Sequence, residues 1–335
     1  MDFKIHKTAV LKQEKEREGI RRAGRYFWWT VWILCCLVML NGCSKKQPKL
    51  SEVVQKTVEY QLKTVERPQS ASIGGEWTVI SVLRSGEKIP DSYGEIYLSN
   101  LKKRLKEEEG VLSETKYTEY ARAVLALAAL GQDPQDVDGY DLLAPLLDLE
   151  GVTKQGINGA AFALQALDAA APEIAANTSD SEPIGIAKAE LLQWILEREL
   201  PNGGFTLKEE ETEHADADIT AMVLQALAPY QEQETIAEVI DRAVNVLADM
   251  QCEDGMYESW GEKNCETAAQ VVIALSALGI DCESDARFIK GENNLYEVLL
   301  KFYDGNGGFA HVQGKDADPM ATDQALCALD ALQNR

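Results

Sequence analysis

An apolar, small-residue-rich stretch of helix length returns six times along this chain, alanine-rich in all but the first and weakest copy. The copies are GGEWTVISVLRSG (74–86), ARAVLALAALG (121–131), INGAAFALQALDA (157–169), ITAMVLQALAPY (219–230), TAAQVVIALSALG (267–279) and ATDQALCALDAL (321–332). With Leu83, Leu127, Leu167, Leu227, Leu275 and Leu329 taken as equivalent, the period is about 49 residues, longer than a tetratricopeptide or ankyrin unit and suited to a long helix hairpin. Such copies are apolar nearly all round, so they must be buried. Between them lie amphipathic segments with apolar residues at helical spacing, near 51–65, 91–107, 138–148, 185–198, 235–251 and 293–303. Most are heavily charged, as LKKRLKEEE (101–109) shows, and must face water. Alanine lets helix backbones approach closely, so six apolar helices can form a ring inside six polar-faced ones. The expected fold is all-α, an α6/α6 toroid of six helix-pair repeats over 51–335. Closure removes the polar end-caps that an open solenoid needs.

Glycine turns punctuate the last three repeats: Pro201-Asn202-Gly203-Gly204-Phe205, Glu253-Asp254-Gly255-Met256-Tyr257 and Gly305-Asn306-Gly307-Gly308-Phe309. Phe205, Tyr257 and Phe309 recur at equal intervals and read as turn-packing residues. The glycines permit positive φ. No G-x-x-x-x-G-K-[ST] pattern accompanies them, so they are not a phosphate loop.

The chain opens differently. A basic segment ending in Arg21, Arg22 and Arg25 precedes an apolar run from Phe27 to Leu40. About fourteen residues rise about 21 Å, short of the ~30 Å hydrocarbon core, which is the length of a signal-peptide core. Leu40-Asn41-Gly42-Cys43 follows and resembles a bacterial lipobox, although Asn41 is not the usual small residue. The reading is a lipoprotein-type signal over 1–43 with lipidation at Cys43, a tether over 44–50, and a mature chain on the extracytoplasmic face of a bacterial cell membrane. An uncleaved signal anchor is the alternative.

Formal net charge is −22, and the basic leader makes the remainder more acidic still. That excludes nucleic acid and polybasic docking on anionic lipid. Beyond the leader only Cys252, Cys265, Cys282 and Cys327 remain. Without a C-x-x-C spacing they do not suggest a zinc ribbon or thioredoxin site. A Cys252–Cys265 disulfide is left open, and Cys327 reads as plain core.

The glycine-glycine-aromatic turn followed by a T-A-x-x-x-x-A-L helix resembles the terpenoid cyclase and protein prenyltransferase α/α toroids. DADITAMVLQALAPY and ETAAQVVIALSALGID are also similar to the α-barrel of the cobalamin carriers, and bacterial cell-surface proteins with prenyltransferase/squalene-oxidase-like repeats resemble the chain over its mature length. The resemblance implies a ligand in the central hollow, where the inner helices begin. It makes Trp77, Tyr117, Glu119, Asn158, His214, Asp218, Trp260, Glu266, His311, Thr322 and Asp323 candidate ligand-binding residues. Capping is the plainer reading for Asp218, Glu266 and Thr322. No metal site is expected, since His214 and His311 are the only histidines beyond the leader and two do not make one.

Class II terpene cyclases protonate their substrate from a D-x-D-D motif. Asp216-Ala217-Asp218-Ile219 resembles it, with Asp218 in the place of the acid and Ile219 in place of the last Asp. Few aromatics occur on the inner helices, and no zinc-binding His opens the last one, where Met320-Ala321-Thr322 stands. The expectation is therefore a lipid-anchored, non-catalytic protein that binds a small molecule, for which cobalamin or another corrinoid is one candidate, or another surface protein. The alternatives are a terpene-cyclase-like enzyme using Asp216 and Asp218, and a glycan-active barrel pairing Asp218 with Glu266 or Asp323.

Overall fold

The computed structural model describes residues 47–335 except 72, 173, 175, 177–181, 209, 211 and 212. The leader, its apolar run and Cys43 lie outside the described residues. One compact unit spans Lys49–Arg335. Its helices are α1 (Leu50–Thr64), α2 (Glu76–Arg84), α3 (Ser92–Glu107), α4 (Thr118–Ala129), α5 (Leu149–Thr153), α6 (Gly156–Ala170), α7 (Pro183–Leu196), α8 (Ala217–Leu227), α9 (Glu234–Met250), α10 (Cys265–Ala277), α11 (Leu295–Leu300) and α12 (Pro319–Gln333). No described helix is long and apolar enough to cross a membrane.

The even-numbered helices are the six apolar copies, alanine-rich in all but α2. Each packs on the next, and α12 returns to α2, so the inner ring is closed. Leu127, Leu167, Leu227, Leu275 and Leu329 are fully buried, and each such leucine contributes about 1.5–3 kcal/mol. In the first copy Val82 is the fully buried residue and Leu83 is half-buried, so that copy sits one residue out of the expected register. The outer helices form where the amphipathic pattern placed them, with one correction. The third, expected over 138–148, is instead a 3-10 turn at Ala144–Leu147 followed by the short α5. Pro145 occupies the first turn there and lacks the N–H a longer helix would use.

The turns are fastened to the inner ring by threonine. Thr220 Oγ1 accepts from Phe205 N at 2.9 Å and donates to Phe205 O at 3.2 Å. Thr322 repeats this with Phe309 at 3.0 and 3.2 Å. Phe205, Tyr257 and Phe309 are fully buried, as turn-packing residues should be. Gly203, Gly204 and Gly307 have positive φ, but Gly308 does not. At Gly308 the constraint is space, because a Cβ would lie 2.5 Å from that of Ala317.

All four described cysteines are free thiols, which removes the Cys252–Cys265 pairing.

Candidate functional site

The inner ring encloses a cavity of about 320 Å³ to which all six inner helices contribute. Its lining falls on a helical stripe: Leu125, Gln165, Gln225, Ile273 and Cys327 take the same place on five helices. Residues seven positions earlier share that face two turns nearer the helix N-termini, about 10.5 Å along the axis. These are Thr118, Asn158, Asp218, Glu266 and Met320. The hollow therefore has an N-terminal rim carrying Asn158, Asp218 and Glu266, as the sequence suggested. The cavity itself lies deeper and opens at the other end, where Arg84, Asp330 and Asn334 stand.

Between rim and cavity runs a glutamine belt. Gln225 Nε2 donates to Gln270 Oε1 at 2.7 Å and to Gln270 O at 3.3 Å. Gln270 Nε2 donates to Gln324 Oε1. Gln165 Nε2 donates to Met222 O at 3.3 Å. Sequence reasoning missed this belt, although the repeated Leu-Gln-Ala-Leu at 164–167 and 224–227 was visible. It is an amide in the middle of an otherwise apolar stretch. Phe162 was missed as well. Its ring lies 5.7 Å from that of Trp77 at an interplanar angle of 49°, and both line the cavity. Cys327, read as core, also lines it, and burial pushes its thiol up to about 12.

At the rim, Asp218 is half-buried and accepts from Ser259 Oγ at 3.2 Å. Burial raises its pKa above the ordinary carboxylate value, and the neighbouring Asp216 charge adds to that. Asp216 is held in place by Thr206 Oγ1 at 2.9 Å and Leu207 N at 3.1 Å, both donating to Oδ2. Ser259 belongs to a hairpin of β1 (Glu258–Ser259) and β2 (Glu262–Lys263). Its tip carries Trp260, 71% exposed, with the Lys208 ammonium 4.9 Å from the ring centroid. The same hairpin supplies Glu262, 3.7 Å from His311 Nε2, while Glu266 Oε2 lies 2.8 Å from His311 Nδ1. Burial works to lower the His311 pKa, but the Glu266 bond and the surrounding carboxylates hold it above the ordinary value. Among the described residues no group of three or more such side chains is arranged to hold a metal.

The other candidates point elsewhere. Glu119 is bound by Arg104 of outer helix α3 at 2.9 Å, and the Tyr117 hydroxyl donates to Asp148 at 3.3 Å. Thr118, between them, is the residue on the axial stripe. His214 is exposed. Thr322 is spent on its turn. Asp323 faces out of the ring, toward Gln61 of α1 and Thr78 of α2, because it sits off the axial stripe. It cannot partner Asp218 across the hollow. Of the candidate residues, Trp77 is the one that lines the cavity.

The chain is 26% identical over 180 residues to drimenyl diphosphate synthase from Streptomyces showdoensis, which covers 53% of this chain and 31% of that protein. The chain thus spans about a third of the length of this curated relative. Likeness to a diphosphate synthase overturns the non-catalytic binding reading drawn from the sequence. The family model described as prenyltransferase alpha-alpha toroid domain matches residues 148–335, more than half the chain. The closed inner ring and this match together place the chain in the prenyltransferase α/α toroid family.

Proposed function

We propose that this toroid is a terpene-cyclase-like catalyst in which the Asp218 carboxyl starts cyclisation by protonating an alkene at the N-terminal rim. The proton adds to one carbon of a terminal double bond and leaves a tertiary cation. Successive double bonds attack it as rings close, and a proton lost at the end returns through solvent to Asp218. No bond to the diphosphate breaks, so an acyclic prenyl diphosphate would leave as a cyclised one.

The observation that carries this reading is the Asp-x-Asp pair. Asp218 is half-buried with a raised proton affinity, and Asp216 is pinned beside it by two donors. A carboxyl raised in this way holds its proton nearer neutral pH, which an acid catalyst requires. The exposed face of Trp260 already carries a cation, the Lys208 ammonium. That ammonium is a charge partner for the substrate's diphosphate at the rim. A lipid tether at Cys43 would keep the toroid beside a bilayer where prenyl chains partition.

The test is to incubate the full chain, and its Asp218→Asn variant, with acyclic prenyl diphosphates and identify the products. The expected result is a cyclised diphosphate from the wild type and a fall of about 10²–10⁴-fold in the variant. Equal turnover by both proteins would place the acid elsewhere.

A further inference from the structure

The cavity beyond the glutamine belt is not part of the acid rim. It opens at the C-terminal ends of the inner helices, and Asp218 is two turns away on the other side of the belt. Its chemistry can be read from its walls.

Below the lip no side chain is charged. The wall is Trp77, Ile80, Leu125, Phe162, Ile273, the neutral Cys327 thiol and the belt amides. Desolvating a charge there without a partner is prohibitive, so the body of any occupant is uncharged. At the lip, Arg84 stands near Asp330, while Arg335 is bound by Asp281 and Glu283. The lip therefore favours neither sign strongly.

The belt is directional. Donation runs from Gln225 through Gln270 to Gln324, which leaves Gln225 Oε1 as an unused acceptor and Gln324 Nε2 as an unused donor. Ser276 stands in the same wall, with its Oγ buried behind it and without a protein partner. A hydroxyl both donates and accepts, so it pairs with either end of the belt, whereas a hydrocarbon leaves both ends unmatched. At about 320 Å³ the cavity has room for roughly ten water-sized heavy atoms, at the lower end of ligand cavities.

We infer that this cavity is a second small-molecule site, taking a compact, uncharged apolar molecule that carries one hydroxyl, with its apolar body against Trp77 and Phe162 and its hydroxyl on the glutamine belt.

The experiment is equilibrium dialysis of the full chain with menthol and, in parallel, with the matching hydrocarbon p-menthane. Menthol should bind at least about tenfold more tightly, which is about 1.4 kcal/mol. Gln225→Met and Gln324→Met, each similar in length, should each reduce menthol binding several-fold and leave p-menthane unchanged. Asp218→Asn should leave menthol binding intact, so that failure of the acid assignment and failure of this site are read separately. Equal binding of the two probes, or menthol binding indifferent to both substitutions, would overturn the proposal.

Discussion

Gln61, on the first outer helix, donates its side-chain amide to Asp323 on the last inner helix across 2.5 Å of space and 262 residues of chain. The other Asp323 oxygen accepts from Thr78 at 2.8 Å. One carboxyl thereby ties the last inner helix to the first helix pair, at the seam where the ring closes.

Burial pushes the Asp323 pKa up to about 7, against an ordinary value of 3.8. Between those values the folded protein keeps a proton that the unfolded chain has lost. The Asp323 contribution to stability is therefore full below about pH 4 and is lost as pH rises toward 7. Asp323→Asn should flatten that slope and raise stability above pH 7 by up to a few kcal/mol. Urea unfolding of both proteins across this range tests it, and an unchanged slope in the variant would count against Asp323 as its source.

Activity that depends on protonated Asp218 should fall as pH rises through the raised pKa. Asp216 contributes to that raise by like charge. Asp216→Asn should therefore move the basic limb of kcat to lower pH, while Asp218→Asn abolishes the limb together with most of the rate. A basic limb left in place by Asp216→Asn would show that the two carboxyls are not coupled.

The ring was legible because its determinants are local and repeated. A leucine every forty to sixty residues and an alanine-rich copy around it set six inner helices within a few residues of where they form. The placement of Asn158, Asp218 and Glu266 in the first turns of α6, α8 and α10 was legible too. What hid was the azimuth. Thr322 and Asp323 are adjacent to the axial stripe in sequence but point away from it, one to a turn and the other to the seam. The glutamine belt hid because its partners lie 45 and 54 residues apart, and one copy alone gives no sign that they meet.

Thr322 fastens its turn, with its hydroxyl accepting from Phe309 N at 3.0 Å. Thr322→Val removes the acceptor for the buried Phe309 N–H, and leaving such a donor unmatched costs about 1–3 kcal/mol. Thr322→Ser keeps the hydroxyl and should recover most of that loss. Activity per folded molecule should be the same in all three proteins. A change in KM with Thr322→Val, at unchanged stability, would restore Thr322 to the site.

The turn before the last inner helix offers a stricter test of how the ring is sealed. Gly307 has φ of 114°, and a Cβ placed on it would lie 2.3 Å from the carbonyl oxygen of Lys56 and 2.7 Å from Cβ of Tyr60. Both belong to α1, so the turn lies directly against the first helix. The clashing carbonyl is held inside that helix and cannot give way. Gly305, two residues earlier, also has positive φ, but nothing lies within 4 Å of its would-be Cβ. Gly305→Ala should cost only the left-handed penalty, about 1–2 kcal/mol. Gly307→Ala adds the collision and should exceed about 4 kcal/mol, beyond the range of ordinary point substitutions. Thermal unfolding of the two variants separates the contributions. Equal losses would mean that α1 can move off the turn.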